Sequence, residues 1–217
     1  MFQLKLNDRS DRKLTVLCLG CHSDDIEIGC GGSILRLREQ FPSAIFSWVV
    51  FSAVGVRKAE ARRGAELFAG TKQLRKAQFE SFRDGFMPYS AAQVKQKFEK
   101  LKEAVSPDLI FTHNGKDAHQ DHRLISQLTW NTFRDHLILE YEIPKYDGDL
   151  GQPNVFIPLP ANNYKQKVQY LSDTFKSQRN KRWFEPETFL SLMRLRGMEC
   201  NSVSGHAEAF YCRKLVL

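Results

Sequence analysis

Two short stretches of this chain gather residue types that packing alone seldom brings together: His22-Ser23-Asp24-Asp25 and Asp117-Ala118-His119-Gln120-Asp121-His122. In the first, a histidine and two aspartates precede Glu27, Gly29, Gly31 and Gly32, as in a tight glycine-rich turn. Imidazole nitrogen and carboxylate oxygen suit a catalytic Zn2+, which takes three protein ligands and keeps a position for water. Adjacent aspartates point in different directions, so one can ligate while the other takes a proton from that water. In the second stretch, His119 and His122 lie three apart at what reads as a helix start, and so on one face. One can complete a metal site; the other can donate to the oxyanion formed when water attacks an amide carbonyl. Asp121 or Asp117 can orient a ring by accepting its remaining N–H. The first stretch alone also fits a solvated turn. Together the two hold the parts of a metallohydrolase.

Such residues need a scaffold that carries them to one place. Residues 14–20 (LTVLCLG) are an apolar run after a charged leader, as in a buried parallel strand, and a turn and then a helix over about 31–40 follow. Further strands are expected at 44–53, 77–82, 108–112 and 137–141, with helices at 57–68, 91–105 and 124–133. This alternation implies an α/β fold: a Rossmann-like, mostly parallel sheet flanked by helices. Such sheets bind ligands beyond the carboxyl ends of their strands, and both His/Asp stretches follow expected strands. From about 142 the pattern changes, with proline and glycine clustered in IPKYDGDLGQPNVFIPLP. Helices at 162–177 and 186–196 come next, and AEAFYCRKLV is read as an added edge strand. No repeat, low-complexity tract or linker divides the chain, so 1–217 reads as a single domain.

Composition narrows the partners. The net charge is +7, but the basic residues are scattered and no basic stripe is interleaved with aromatics, so nucleic acid is not the expected partner. No run approaches the ~18 apolar residues that span a bilayer, and MFQLKLNDRSDRKL lacks the apolar core of a secretory signal. A cytoplasmic protein is expected. The five cysteines agree, being odd in number, and Cys18 and Cys21 would face opposite sides of a strand rather than share a metal or redox site. They read as small buried thiols.

The segment TVLCLGCHSDDIEIGCGG resembles the HPDD region of the PIG-L/LmbE-like family of zinc-dependent N-acetylglucosamine deacetylases, and PDLIFTHNGKDAHQDH resembles that family's HxDH region. The helix RKAEARRGAELFAG is similar to the family's intervening helix. The likeness covers about 14–135, while EYEIPKYDGDLG, RLRGME and AEAF resemble a subset of members. Carried over residue by residue, the resemblance implies His22, Asp25 and His122 as zinc ligands and Asp24 as general base. It implies that His119 stabilises the oxyanion or protonates the leaving amine, with Asp121 as its orienting partner. The implied reaction is hydrolysis of the N-acetyl amide of an N-acetylhexosamine-type sugar, carried on a nucleotide or a phosphorylated lipid. The positive charge is compatible with such an anionic carrier. Ser23 stands where the family commonly has proline, so the loop loses a fixed φ but no ligand. Ile26 occupies a position often acidic in the family, with Glu27 beside it.

Other residues carry weaker signals. Arg57, just after a strand, is a candidate to grip a sugar hydroxyl or phosphate. His113 is expected to pack near the site rather than bind metal, and His136 to sit at a helix end, which the dipole favours. Trp183 and Phe184 are expected in the core, whereas His206 either closes the cleft or sits on the surface. Two rival readings exist. Gly29-Cys30-Gly31-Gly32 after a strand is reminiscent of a Rossmann methyltransferase loop, but it lacks the full GxGxxG spacing and the next strand ends without an acidic residue, in FSAVGVR; the stretch is expected to serve close helix–strand packing and the turn. A non-catalytic basic binding module leaves both His/Asp clusters unexplained.

Overall fold

The apolar run after Lys13 forms a strand, β1 (Thr15–His22), whose alternate side chains feed two separate cores. Val16 and Cys18 pack on one face of the sheet, and Leu17, Leu19 and Cys21 on the other, so the two thiols do point apart. This computed structural model describes residues 13–216; the leader on which the reading of an absent secretory signal rests, residues 1–12, lies outside them.

After β1 come α1 (Asp25–Gln40), β2 (Ile45–Ser52), α2 (Gly55–Ala69), β3 (Leu74–Phe79), α3 (Ala91–Ala104), β4 (Leu109–His113), α4 (Gln120–Thr132) and β5 (Leu137–Tyr141). The last third adds β6 (Val155–Pro158), α5 (Ala161–Thr174), α6 (Pro186–Glu199) and β7 (Ala207–Tyr211). The sheet order is β3-β2-β1-β4-β5-β7-β6, parallel from β3 through β5 and antiparallel beyond. Residues of α1, α2, α5 and α6 fill the core on one face and those of α3 and α4 the core on the other. The expected Rossmann-like α/β sheet is therefore present. The strand order reverses between β1 and β4, which is where such a sheet opens a crevice at its carboxyl edge.

Four expectations change. The glycine-rich stretch is no turn: α1 begins at Asp25 and runs straight through Gly29, Gly31 and Gly32. Glycine is a poor helix former, but here tertiary packing decides. A methyl group at Gly29 would strike the Tyr141 ring, at Gly31 the Phe68 ring, and at Gly32 the Leu159 side chain. The same packing removes the methyltransferase reading, because the glycines face neighbouring side chains rather than an open cofactor loop. β3 starts three residues earlier than expected, carried by its register with β2. The proline-rich segment contributes an unexpected strand, β6, and β7 is not at the edge but lies between β5 and β6.

The C-terminal third also grips α1 from behind. Lys167 and Glu208, both buried, pair at 2.6 Å, and Lys167 Nζ donates to the Ile28 carbonyl at 2.5 Å. Glu208 accepts the Gly32 and Ser33 N–H groups at 2.8 and 2.7 Å. Removing one partner of such a buried pair costs about 3–5 kcal/mol, so this clamp fixes the helix whose first residue enters the site.

Candidate metal centre and active site

β1 runs two residues further than its apolar core suggests and so delivers His22 at its carboxyl end. The chain then turns sharply. The His22 N–H donates to Asp25 Oδ2 at 2.6 Å, which aims that carboxylate back at the strand end as α1 begins. From the neighbouring β4, the loop after His113 leads to α4, with His119 as its N-cap and His122 in its first turn. The three expected metal ligands converge. His22 Nδ1 and His122 Nε2 are 3.1 Å apart, and Asp25 Oδ2 lies 3.3 Å from the first and 3.5 Å from the second.

That triangle can be tested against an ion. Ligand atoms held tetrahedrally at ~2.0–2.1 Å from zinc are about 3.3–3.4 Å from one another, close to the three spacings found. The tautomers fit as well. Asp117 Oδ2 lies 2.9 Å from His122 Nδ1 and, as a carboxylate, must accept its proton, which leaves the Nε2 lone pair facing the triangle. His22 has a carboxylate on its outer nitrogen too, since Asp84 Oδ1 lies 2.9 Å from Nε2. Cys21 is close enough to join the group, but burial pushes its thiol up to about 12 and it donates to Met87 Sδ at 3.5 Å. The residues present fit a divalent ion held by two histidines and one aspartate.

The two neighbouring aspartates have opposite surroundings. Burial raises the Asp24 carboxyl above the usual carboxylate range, against the pull of Arg57, whose Nη2 donates to Asp24 Oδ1 at 2.7 Å. Burial also acts on Asp25, but His122, His113 and His22 around it outweigh that effect and hold it well below the usual range. Carboxylates whose environments push their pKa values apart can divide acid–base and ligand work between them. His119 Nδ1 accepts the Asp121 N–H at 3.3 Å, so in the neutral ring the proton sits on Nε2, free to donate. Its pKa is lowered, chiefly by burial and then by His122, which favours that neutral form.

Asp121 differs from expectation. Its main chain orients His119, but its carboxylate accepts the Gly85 and Met87 N–H groups of the loop after β3, at 2.7 and 3.1 Å. Asp117 does the backing work instead: besides His122 it takes the His119 N–H at 2.8 Å and the Lys145 ammonium at 3.1 Å. His113 packs as expected, its ring stacked on His122 at 3.9 Å, and burial holds it down to about 4. Glu27 is fully buried and turned toward α2, where a side chain on Gly64 would meet it, so it does not reach the metal triangle. His206 stacks on Tyr164 at 3.9 Å and belongs to none of the groups of possible metal ligands among the described residues. His136 lies beyond the end of α4, edge-on to Phe133. Phe184 is buried and Trp183 packs edge-on against it, as expected of core residues. Asp84 had no sequence signal beyond its place in an Asp-Gly turn.

Comparison with known proteins identifies the family and the fold. The family model PIG-L, GlcNAc-PI de-N-acetylase, matches residues 17–133, just over half of the chain, and the chain belongs to that family. The uncharacterized deacetylase YaiS of Escherichia coli K12 is 25% identical over 151 residues, covering 62% of this chain and 77% of its own. Among solved structures, N,N'-diacetylchitobiose deacetylase from Pyrococcus horikoshii is similar at TM-score 0.69 and 18% identity, covering 91% of this chain and 83% of its own. GalB, the 4-carboxy-2-hydroxymuconate hydratase from Pseudomonas putida KT2440, is similar at TM-score 0.70 and 15% identity, covering 94% and 98%. The fold is thus shared by a deacetylase and a hydratase, and the reaction must be argued from the site.

Proposed function

We propose that this protein is a zinc-dependent N-deacetylase that hydrolyses the acetamide of an N-acetylhexosamine-type substrate, with a nucleotide- or lipid-linked sugar as the candidate carrier. The observation that carries the reading is the triangle of His22, Asp25 and His122 with Asp24 and His119 beside it. When bound, zinc supplies Lewis acidity that brings the pKa of a coordinated water toward 7. Asp24 takes the proton of the attacking water, and Arg57 holds Asp24 in place. The His119 Nε2–H donates a hydrogen bond to the amide oxygen as negative charge develops there, and the proton taken up by Asp24 passes to the nitrogen as the C–N bond breaks. Acetate and a free amine result. Asp117 fixes the His122 tautomer, and Arg57, at the rim, is the candidate contact for a phosphate or hydroxyl of the carrier.

Membership in a deacetylase family and the chitobiose deacetylase among its structural neighbours support the amide reading. Similarity to a hydratase favours a second reading, in which the same activated water adds across a double bond; substrate choice separates the two. All five cysteines are free thiols and no helix among the described residues is long and apolar enough to cross a membrane. A reducing, cytoplasmic setting is part of the proposal. The test is acetate release from a panel of N-acetyl sugars and nucleotide sugars, with metal content measured on the same protein. Stoichiometric zinc, acetate release and loss of both on chelation are expected. A metal-free protein that turns over none of the panel would sink the proposal.

A further inference from the structure

The loop that follows β5 closes on itself. The Gly151 N–H donates to Glu142 Oε1 at 3.2 Å, and Arg196 Nη2 donates to Glu142 Oε1 and to the Gly151 carbonyl, both at 2.9 Å. Residues 142–151 are thus a compact loop whose ends meet, with Gly148 as its left-handed residue at φ 62°. Lys145 turns inward from this loop, its side chain 10% exposed, while its neighbour Tyr146 lies open to solvent.

Lys145 Nζ reaches two carboxylates at once, Asp149 Oδ2 at 2.5 Å and Asp117 Oδ1 at 3.1 Å. The same two oxygens hold consecutive main-chain donors ahead of α4. Asp149 Oδ2 accepts the Ala118 N–H at 2.7 Å, and Asp117 Oδ1 the His119 N–H at 2.8 Å. Arg123, in the first turn of α4, donates to the Asp117 and Ala118 carbonyls at 2.8 and 2.5 Å. The main chain entering His119 is therefore held along both edges, and its N–H edge depends on one ammonium. Among the described residues no other lysine or arginine pairs with either carboxylate. Burial pulls the Lys145 ammonium down, but Asp149 and Asp117 outweigh it and hold the group above the usual lysine range, so it stays charged. Without that charge two nearly buried carboxylates would face each other and repel.

We propose that Lys145 is a positioning residue of this site, clamping the Asp117–His119 main chain so that the His119 ring keeps its place. The inference rests on the deacetylase reading for the task of His119, and on these contacts alone for what holds it. His119 is the N-cap of α4, and its ring is tied by the Asp121 N–H at 3.3 Å, so its orientation follows the main chain. A group that meets charge in the transition state has to be held within about 0.5 Å. Asp117 Oδ2 stays on His122 Nδ1, so loss of Lys145 acts on turnover more than on the metal.

The experiment measures amide exchange by NMR in zinc-loaded wild type, Lys145→Met and the double variant Lys145→Met/Asp149→Asn, together with acetate release from N,N'-diacetylchitobiose. Lys145→Met should speed exchange at Ala118 and His119 about tenfold while the β1 and β2 amides keep their wild-type rates, a local opening rather than a general loss of stability. It should lower kcat by up to about 10²-fold, with KM unchanged and zinc retained. The double variant removes one of the two facing charges and leaves an amide oxygen for the Ala118 N–H, so it should recover part of both losses. Wild-type exchange rates in Lys145→Met overturn the proposal, as do faster exchange with kcat unchanged and a double variant no better than Lys145→Met. If Lys145→Met does not fold, the double variant decides alone: its His119 amide should exchange faster than that of the wild type, and an equal rate overturns the proposal. A wild type that releases no acetate removes the deacetylase reading, and the exchange rates then decide the clamp by themselves.

Discussion

The two segments that meet at the metal triangle are held by opposite means. His22–Asp25 is a local device: a strand end, one main-chain hydrogen bond to Asp25 and the start of α1, all within four residues. Asp117–His122 is held from a distance. Asp117 pairs with Lys145, the Ala118 N–H donates to Asp149 at 2.7 Å, and Asp121 reaches the loop after β3. The compact motif aims its ligand through its own backbone, with the Lys167–Glu208 clamp behind its helix, while the dispersed one depends on the loops around it. It follows that removing the ligand in the first segment should cost more metal affinity than removing a supporting carboxylate in the second.

The largest expected effect lies within the compact segment. Asp24→Asn should retain near-stoichiometric zinc and lose about 10²–10⁴-fold in kcat, the usual contribution of a positioned base. Asp25→Asn should lose zinc itself, with part of the activity restored by excess metal. Zinc content and turnover measured on both variants decide the matter, and the reverse pattern would exchange the two roles. In the dispersed segment the expected effect is smaller. Asp117→Ala should weaken zinc affinity about 10–100-fold, as loss of a carboxylate behind a ligating histidine commonly does, while Asp24→Asn leaves it unchanged. Equal affinity in Asp117→Ala and wild type, in a competition titration with a zinc chelator, would break the distinction between the segments. Smallest is the effect of salt. If Arg57 meets an anionic carrier, raising ionic strength should raise KM more than it lowers kcat. A KM indifferent to salt on a charged sugar would confine Arg57 to its contact with Asp24.

Much of the architecture was legible because it is written in local pattern. β1, β2, β4 and β5 and the helices α2 to α6 fall where apolar periodicity puts them, within a few residues. At Gly29–Gly32 the expected close packing is present and the expected turn is not, for a physical reason. Local propensity argues for a turn there, and only the rings of Tyr141 and Phe68, from elsewhere in the chain, make a helix without side chains the better fit. β6 was hidden for a related reason. Val155–Pro158 lies in a proline-rich stretch whose pairing partner, β7, comes some fifty residues later.

The sequence by itself determined that two histidine–aspartate clusters would follow parallel strands, because hydrophobic period and strand–helix alternation are local properties of a chain; that those strands are neighbours is a property of the folded sheet. It also carried the identity of the residues that converge, since His22, Asp25 and His122 are named by motif. Only the tertiary structure decided what each carboxylate does. Asp117 backs His122; Asp121 holds the loop after β3 and lies 3.7 Å from His22 Nε2; and Asp84 arrives beside His22 from a loop with no motif at all. These contacts join residues as far as 62 positions apart, and a hydrogen bond is settled by a few tenths of an ångström in the folded chain. No pattern along the sequence fixes a distance that small.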